Sequence, residues 1–378
     1  MANRDGVDKV SVSAVNSKGT GPAASTTFRV KKQAAARPPG APGTGARSLS
    51  HEASATEGAT MTSTPTNLLE ELEPVVAENL DRHLSMAQEW HPHDYIPWSQ
   101  GRDFAFLGGE DWAPEQSQLS ETAKAAMFTN LLTEDNLPSY HREIATRFGR
   151  DGAWGTWVGR WTAEENRHGI AMRDYLVVTR GVDPVELERA RMDYMTSGYD
   201  SGEKTVLEAV TYVSFQELAT RVSHRNTGKV TGDPIADRML ARISKDENLH
   251  MIFYRNIVSA ALEIAPDATM QAIAKEVIGF EMPGATMAGF RRSSMMIAKA
   301  GIYDLRLHHD DVIMPVLRHW RVLDRTDFGP EGERAREQLA AFLQGLDAQA
   351  TKFVDRREEN RARVAARDDG VQQDIVAS

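Results

Sequence analysis

The chain has 378 residues, 41% of them hydrophobic and 7% aromatic, with a formal net charge of −10 and no cysteine. This length can bury a substantial core, and the acidic balance argues against general nucleic-acid binding. Without cysteine, disulfides, zinc-thiolate sites and iron–sulfur clusters are excluded, so redox chemistry needs O and N ligands and electrons from a separate protein. No segment approaches the roughly 18 consecutive apolar residues of a membrane helix, so we expect no membrane span.

The first 60 residues differ from the rest of the chain. They are rich in Ala, Gly, Ser, Thr and Pro, and they hold eight Lys and Arg against four Asp and Glu. Without an apolar period they cannot bury enough surface to offset the entropy of ordering, so we expect residues 1–60 to be a disordered extension. A dispensable tail on a cytoplasmic protein is the favoured interpretation. A plastid transit peptide is the alternative, because the segment is basic and rich in small residues.

A helical period begins near residue 61 and continues through most of the chain. Apolar residues first recur at Leu69, Leu72, Val76 and Leu80, which is the spacing of one face of an amphipathic helix. No convincing strand alternation follows. The pattern predicts an all-α domain over residues 61–357.

Local signals mark some helix ends. Asp183-Pro184 and Asp233-Pro234 each combine an N-cap residue with proline at the first helical position, and Gly181 stops the preceding helix. The segment 358–378 is highly charged, and we expect it to be a disordered C-terminal tail.

Two segments, Glu165–His168 and Glu247–His250, share the pattern Glu-x-x-His. Residues i and i+3 lie on the same face of a helix, so the carboxylate and the imidazole can reach one metal ion. Both pairs lie on apolar stripes, where a charged group is costly to bury unless it is paired or bound to metal. The stripes are Trp161, Glu165, His168, Met172 and Tyr175, and then Leu240, Ile243, Glu247, His250, Tyr254 and Ile257.

Two lone glutamates complete a duplicated arrangement. Glu134 precedes the first Glu-x-x-His by 31 residues and Glu217 precedes the second by 30, each on its own apolar stripe. One Glu from each of two helices with Glu-x-x-His from each of two others is the ligand set of ferritin-like di-iron and di-manganese bundles. The sequence therefore predicts a ferritin-like four-helix bundle core with additional helices, holding iron or manganese.

Two nearby residues carry weaker signals. Pro138 has no N–H for the carbonyl of Glu134, so the helix either kinks or ends there. His224 continues the Glu217 stripe but lies seven residues on, about 10 Å along the helix axis. We therefore expect His224 to support the site or to pack beside it, not to bind metal.

Four short segments hold these residues and stand in a definite order. The most specific is Trp161–Gly169 (WTAEENRHG), and the others are Thr133–Tyr140 (TEDNLPSY), Ser214–Thr220 (SFQELAT) and Asp246–His250 (DENLH). In their amino-acid sequence and in their order along the chain they resemble the soluble acyl-[acyl-carrier-protein] (acyl-ACP) desaturases. The likeness runs from about residue 69 to about residue 350, so it covers the helical body.

The resemblance implies a set of metal ligands. Glu165 and Glu247 would bridge two iron ions. Glu134 and His168 would complete the coordination of one iron. Glu217 and His250 would complete the coordination of the other.

Three further residues acquire expected roles from the resemblance. Thr220 is similar to a hydroxyl residue that faces the oxygen pocket. Asp246 is similar to a carboxylate that orients a ligand histidine. Trp90 is similar to a tryptophan that joins this aspartate, and an electron route and plain packing are both open for it.

The resemblance also implies an activity and partners. The enzyme would use O2 and electrons from a ferredoxin-type donor to place a cis double bond in a fatty acyl chain held by acyl carrier protein, in fatty acid biosynthesis. The family forms homodimers, and we expect one here by analogy. Leu249 replaces a basic residue that is usual in the plant enzymes, and the polar residues His141, Arg142 and Glu143 follow Pro138 where the family's acyl cavity begins. These departures leave acyl length and double-bond position open.

Other functions fit parts of this pattern. A di-iron oxygenase acting on another carrier-bound substrate could use the same ligands, and the pocket would distinguish it. A ferritin-like ferroxidase or iron store also has similar ligands, but the additional helices beyond residue 266 argue against it. A metal-free helical scaffold would not need all six ligand residues.

Overall fold

The structure is a computed structural model that describes residues 67–376. Over this range the chain forms α-helices joined by loops and short helical turns, without a β-strand, and the predicted all-α fold is confirmed. The predicted disordered extension, residues 1–60, lies outside the described residues. The helices are α1 (Leu68–Met86), α2 (Glu121–Asp135), α3 (Leu137–Phe148), α4 (Gly152–Val178), α5 (Pro184–Ser197), α6 (Val206–Thr231), α7 (Pro234–Ile264), α8 (Pro266–Ile278), α9 (Phe290–Ala300), α10 (Leu305–Leu307), α11 (Met314–Trp320) and α12 (Pro330–Val376).

Helices α2, α4, α6 and α7 form the centre of the fold. α6 packs along α7, and α4 contacts both α2 and α7. The stripes predicted from the sequence are buried: Trp161 and Met172 in α4, and Ile243 and Tyr254 in α7, are at most 3% exposed. Burial of these apolar faces holds the four helices together. This is the predicted four-helix core, and the other helices surround it.

The helix ends follow the local signals in the sequence. The Asp183 side chain accepts hydrogen bonds from the backbone N–H groups of Val185 and Glu186. The Asp233 side chain accepts one from Ile235. Both predicted N-caps are therefore confirmed, and they set where α5 and α7 begin.

The helical course is interrupted beside Glu134. α2 ends at Asp135 and α3 begins at Leu137, with Pro138 in its first turn. Because proline cannot donate to the Glu134 carbonyl, the backbone N–H of Asn136 donates to it instead. Of the two possibilities that the sequence left open, the structure shows a helix end.

The remaining helices cover the core. α1 packs on α4 and α7, α3 packs on α4, and α8 packs on α6, α7 and α12. A π-helical turn over His308–Ile313 joins α10 to α11. α12 continues to Val376, and its side chains over residues 358–363 are exposed. An exposed helix gains little stability from packing, so its helical course here does not test whether it stays ordered. The disorder predicted for residues 358–378 remains a prediction.

Three of the core helices are long enough to cross a bilayer, since α4 has 27 residues, α6 has 26 and α7 has 31. All three carry charged residues on their outer faces. No helix within residues 67–376 combines the length and the apolar character of a membrane span.

Candidate metal centre

Six carboxylate and imidazole side chains meet inside the bundle, and they are the six that the sequence predicts as metal ligands. All of them are buried, with exposed fractions of 7% or less. So many acidic groups away from water need a cation or protons to balance them. They are Glu134 from α2, Glu165 and His168 from α4, Glu217 from α6, and Glu247 and His250 from α7.

One half of the cluster is centred on His168. Its Nδ1 atom lies 3.6 Å from Glu134 Oε2 and 3.5 Å from Glu165 Oε2. Glu247 Oε1 is closer, at 3.3 Å. The ligand atoms of these four residues lie within 4.8 Å of one another, so one metal ion could contact them all.

The other half is centred on His250. Its Nδ1 atom lies 2.8 Å from Glu165 Oε1 and 3.6 Å from Glu217 Oε2. Glu247 Oε2 is 3.8 Å away. Glu165 and Glu247 therefore turn one oxygen toward each imidazole, and both carboxylates lie between the two halves. Glu217 belongs to this half and Glu134 to the other.

Many polar atoms of this cluster lack a hydrogen-bond partner among the described residues. His168 Nε2, on the side of Asp246, is one of them. The others face the interior of the cluster and are His168 Nδ1, His250 Nδ1, Glu165 Oε1, Glu217 Oε2 and both carboxylate oxygens of Glu247. A buried polar group left in this state costs roughly 1–3 kcal/mol. Two metal ions would satisfy the interior atoms together. The residues therefore fit a two-metal centre, and carboxylates with imidazoles suit iron or manganese.

Protons must balance the cluster when no cation does. Burial by itself lowers the pKa of His168, but the surrounding carboxylates, with Glu165 first, raise that pKa well above its usual value. Burial raises the pKa of Glu217 well above its usual value, and the charge of Glu165 raises it further. Metal ions would displace these protons, because carboxylates and imidazoles bind metals in their deprotonated forms.

Glu134 and Glu217, which we call the terminal glutamates, each have one oxygen held by a ring nitrogen. His224 Nε2 lies 2.8 Å from Glu134 Oε1. Trp161 Nε1 donates to Glu217 Oε1 at 3.0 Å. In both glutamates the other oxygen, Oε2, faces the imidazole of the cluster. Each terminal glutamate therefore turns Oε2 toward the cluster, and its ring donor fixes that orientation.

Asp246 lies behind His168, outside the cluster. Its Oδ2 atom is 3.5 Å from His168 Nε2 and accepts a hydrogen bond from Trp90 Nε1 at 2.7 Å. Arg242 forms an ion pair with the other oxygen. Arg167 lies over the Trp90 ring, 4.9 Å from its centre. The structure thus brings Trp90, Asp246 and His168 together, with the Trp90 and His168 rings stacked at 6.3 Å between centres, while their roles stay predictions.

A second supporting carboxylate, Glu164, was not predicted from the sequence. Its Oε2 atom lies 2.9 Å from His250 Nε2 and 2.8 Å from His83 Nε2. Arg160 forms an ion pair with its other oxygen. Glu164 therefore stands behind His250 as Asp246 stands behind the other imidazole.

The duplication in the sequence could have revealed this residue. Glu164 precedes Glu165 as Asp246 precedes Glu247, and an arginine lies four residues before each supporting carboxylate. His83 also continues the apolar stripe of α1, where it is 1% exposed. A buried histidine on an apolar stripe was a second signal.

A narrow cavity with about 70 Å³ of water-accessible space adjoins the cluster. Its lining includes two of the proposed metal ligands, Glu134 and Glu165, together with Thr220. Leu137 and Val213 form an apolar part of its wall. The Thr220 hydroxyl donates to the carbonyl of its own helix turn at 2.9 Å. Its position beside the cluster is the one expected from the sequence, and its role stays a prediction.

Polar side chains line another part of the same cavity. Glu143 and Arg147 form an ion pair at 2.7 Å, and Ser201 donates to Glu143 at 2.6 Å. Lys204 also lines this part. The side chains of Glu143 and Arg147 are each 15% exposed. The cavity thus joins a buried metal-ligand region to a charged region nearer the surface.

Known proteins resemble this chain over most of its length. Residues 64–368 match the family described as "Fatty acid desaturase". DesA1 of Mycobacterium tuberculosis, which is named as an acyl-[acyl-carrier-protein] desaturase, is 55% identical over 298 residues, covering 77% of this chain and 88% of DesA1. A chloroplastic stearoyl-[acyl-carrier-protein] 9-desaturase of Oryza sativa subsp. indica is 31% identical over 327 residues, covering 79% of this chain and 78% of the rice protein.

A solved structure agrees with the sequence relatives. The X-ray structure of DesA2 from Mycobacterium tuberculosis, also named as an acyl-ACP desaturase, matches with a TM-score of 0.60 and 35% identity. The match covers 71% of this chain and 99% of the DesA2 chain. It confirms the predicted ferritin-like helical fold. The chain belongs to the acyl-[acyl-carrier-protein] desaturase family, whose members are oxidoreductases of fatty acid metabolism.

Proposed function

We propose that this protein places a cis double bond in a fatty acyl chain carried on acyl carrier protein, using two iron ions, O2 and a ferredoxin-type electron donor. The observation that carries the proposal is the position of Glu165 and Glu247, whose oxygens face both imidazoles. Carboxylates between two metal positions can bridge them, as in ferritin-like di-iron proteins. Membership in the family supports the carrier-bound acyl substrate.

The six buried residues are the metal ligands in this proposal. Glu165 and Glu247 would be shared by the two ions. Glu134 and His168 would hold one iron, and Glu217 and His250 would hold the other. The lone pairs without hydrogen-bond partners support this assignment. When bound and reduced, the two irons supply the O2-dependent oxidation that removes one hydrogen from each of two adjacent carbons.

The surrounding residues hold the substrate and exclude water. Leu137 and Val213 give the cavity apolar walls beside the metal ligands, so an acyl chain can lie there out of water. Thr220 lines the same cavity, and in this proposal its hydroxyl faces the oxygen pocket. The substrate gives up two hydrogen atoms, the donor supplies two electrons and solvent supplies two protons, so that O2 is reduced to two molecules of water.

The electron donor is a separate protein, because this chain has no cysteine with which to hold an iron–sulfur cluster. The contacts that run from Trp90 through Asp246 to His168 support an electron route to the metals through that side of the bundle. By analogy with the family, the proposal includes a homodimer. It places the enzyme in the cytoplasm, with residues 61–357 as the catalytic domain, residues 1–60 as a dispensable extension and residues 358–378 as a charged tail.

A defined assay tests the proposal. Iron-loaded protein is incubated with stearoyl- and palmitoyl-ACP, O2, NADPH, ferredoxin and its reductase, and the released fatty acids are analysed by mass spectrometry. The expected product is lighter by two hydrogen atoms and requires both O2 and iron. Glu165→Ala is the matched control, because it removes a bridging carboxylate next to the cavity. Absence of product from iron-loaded protein would contradict desaturation of these substrates.

A second candidate is a di-iron oxygenase acting on another carrier-bound substrate. The Glu143–Arg147 ion pair on the cavity wall favours it. A hydrocarbon chain gains nothing beside a charged pair, whereas a polar group on the substrate could form hydrogen bonds there. In the assay above, this candidate gives no desaturated product from stearoyl- or palmitoyl-ACP. With a carrier-bound substrate that holds a polar group, it gives a product heavier by one oxygen atom.

A further inference from the structure

His224 is a buried imidazole that the proposed ligand set leaves unused. It lies on α6 and is 1% exposed. Its Nε2 atom is 2.8 Å from Glu134 Oε1 and 3.6 Å from Glu247 Oε1. The two metal-sized groups of the cluster do not include it. His224 therefore touches a proposed ligand without occupying a ligand position.

A hydrogen-bond network determines which nitrogen of His224 carries the hydrogen. Asn130 Nδ2 donates to His224 Nδ1 at 3.3 Å and to Thr227 Oγ1 at 3.2 Å, and Asn130 Oδ1 accepts from Ser223 Oγ at 3.1 Å. Because Nδ1 accepts a hydrogen bond, Nε2 bears the hydrogen of the neutral ring. His224 thus donates from Nε2 to Glu134.

The equivalent carboxylate in the other half has a chemically different donor. Trp161 Nε1 donates to Glu217 Oε1 at 3.0 Å. An indole N–H can only donate, whereas an imidazole depends on a partner for its second nitrogen, here Asn130. His224 also approaches the bridging Glu247. The two terminal glutamates are therefore held by different groups although their helices are duplicated.

We propose that His224 is a positioning residue for the metal centre: it holds Glu134 Oε1, so that Glu134 offers Oε2 alone to the metal beside His168. The hydrogen bond occupies one lone pair of Oε1 and fixes the rotation of the carboxylate, so that Oε2 is the oxygen turned toward His168. Outer partners of this kind orient metal ligands and set metal affinity. The inference rests on the proposed two-metal centre. It predicts that the metal affinity of each position depends on the ring donor of its own terminal glutamate and not on the other donor.

The experiment uses Co(II) as the probe and the metal-free, full-length protein. Absorption spectroscopy and calorimetry count the ions bound and measure each affinity, without any turnover. His224→Leu is expected to weaken binding at one of the two positions by about 10- to 100-fold and to leave the other unchanged. His224→Gln keeps an N–H donor at similar reach, so it should restore most of the lost affinity.

A second pair of variants identifies the position. In Glu217→Gln protein the remaining Co(II) should occupy the half that contains His168. Adding His224→Leu should weaken this ion, whereas adding Trp161→Phe should not. Asn130→Ala removes the anchor of the His224 ring without touching the cluster, and it should reproduce the selective weakening if His224→Leu fails to fold.

The outcomes that overturn the inference are distinct from those that overturn the proposed function. Unchanged affinities in folded His224→Leu and in Asn130→Ala would exclude the positioning role. Equal losses in the Leu and Gln variants would show that an N–H donor at this position does not set the affinity, which also overturns it. A parent protein that binds no Co(II) would instead remove the two-metal centre on which both proposals depend.

Discussion

The two halves of the centre come from a duplicated helix pair, yet they differ in how their carboxylates are held. In the half around His168, the indole of Trp90 donates to the supporting carboxylate Asp246. The imidazole of His224 holds the terminal Glu134. An indole therefore lies on the outside of this half and an imidazole lies next to the cluster.

The half around His250 has the opposite order. The imidazole of His83 contacts the supporting carboxylate Glu164. The indole of Trp161 holds the terminal Glu217. Metal binding requires particular carboxylates and imidazoles at fixed positions, whereas any N–H group of suitable reach can hold a carboxylate. The two halves therefore share the same kinds of ligand, whereas the positions of the indole donor and the imidazole donor are exchanged between them.

The halves also differ in how closely the supporting carboxylate approaches its imidazole. Glu164 Oε2 is 2.9 Å from His250 Nε2, a hydrogen-bond distance. Asp246 Oδ2 is 3.5 Å from His168 Nε2. Aspartate is shorter than glutamate by one methylene group, so its carboxylate reaches less far toward the imidazole. His250 is thus oriented more firmly than His168.

The largest effect is expected from the glutamates that the halves share. Glu165→Ala or Glu247→Ala removes oxygens from both metal positions, so iron should fall from about two per chain toward none, and turnover should be lost. Metal analysis and the acyl-ACP assay measure this, with Gln216→Ala on the cavity wall as a control that keeps its iron. Two irons and full turnover in both variants would disprove the shared-ligand assignment.

A smaller effect is expected from the terminal glutamates, which separate the halves. Glu134→Gln and Glu217→Gln each remove one proposed ligand from one position, so each protein should retain about one iron per chain. Metal analysis gives the number, and the Co(II) spectrum shows whether the two variants keep different sites. Identical spectra would mean that the halves do not bind independently.

Substitution of the supporting carboxylates should have a weaker effect. It should also show whether the shorter carboxylate–imidazole distance matters for metal affinity. Asp246→Asn and Glu164→Gln keep the size of each side chain and remove its charge. Each should weaken Co(II) binding by about 10- to 100-fold. Glu164→Gln should have the greater effect, because its contact with His250 is shorter. Titration of both variants measures the ratio, and a greater loss in Asp246→Asn would contradict this ordering.

The smallest effect is expected from removal of residues 1–60. The deletion takes away none of the residues of either half, so iron content, turnover and thermal unfolding should stay unchanged. The three measurements on the shortened and full-length proteins check this. A loss of turnover with iron retained would show that the extension takes part in substrate or donor binding.

Local rules predicted much of the fold and of the candidate site. The caps at Asp183 and Asp233 and the stripes of the four core helices follow from spacing along the chain, because helix geometry repeats every 3.6 residues. The same spacing brought Glu165 and His168 to one face. The sequence could not choose between a kink and a helix end at Pro138, since proline permits both and packing of α3 on α4 decides.

Glu164 shows where local reasoning fell short. It precedes a predicted ligand in the same motif, and a charged residue one position away on a helix points about 100° from its neighbour. Its burial at 3% exposure depends on His83 and His250, which lie 81 and 86 residues away along the chain. Such partners are not visible in any short segment.

By itself, the sequence determined the all-α course of the chain, the buried face of each core helix and the kinds of ligand presented there. These are consequences of local periodicity and of the cost of burying charge. Only the tertiary structure decided that each supporting carboxylate stands behind the histidine of the other motif, Asp246 behind His168 and Glu164 behind His250. That pairing depends on how α4 and α7 face each other, which contacts distant in sequence determine.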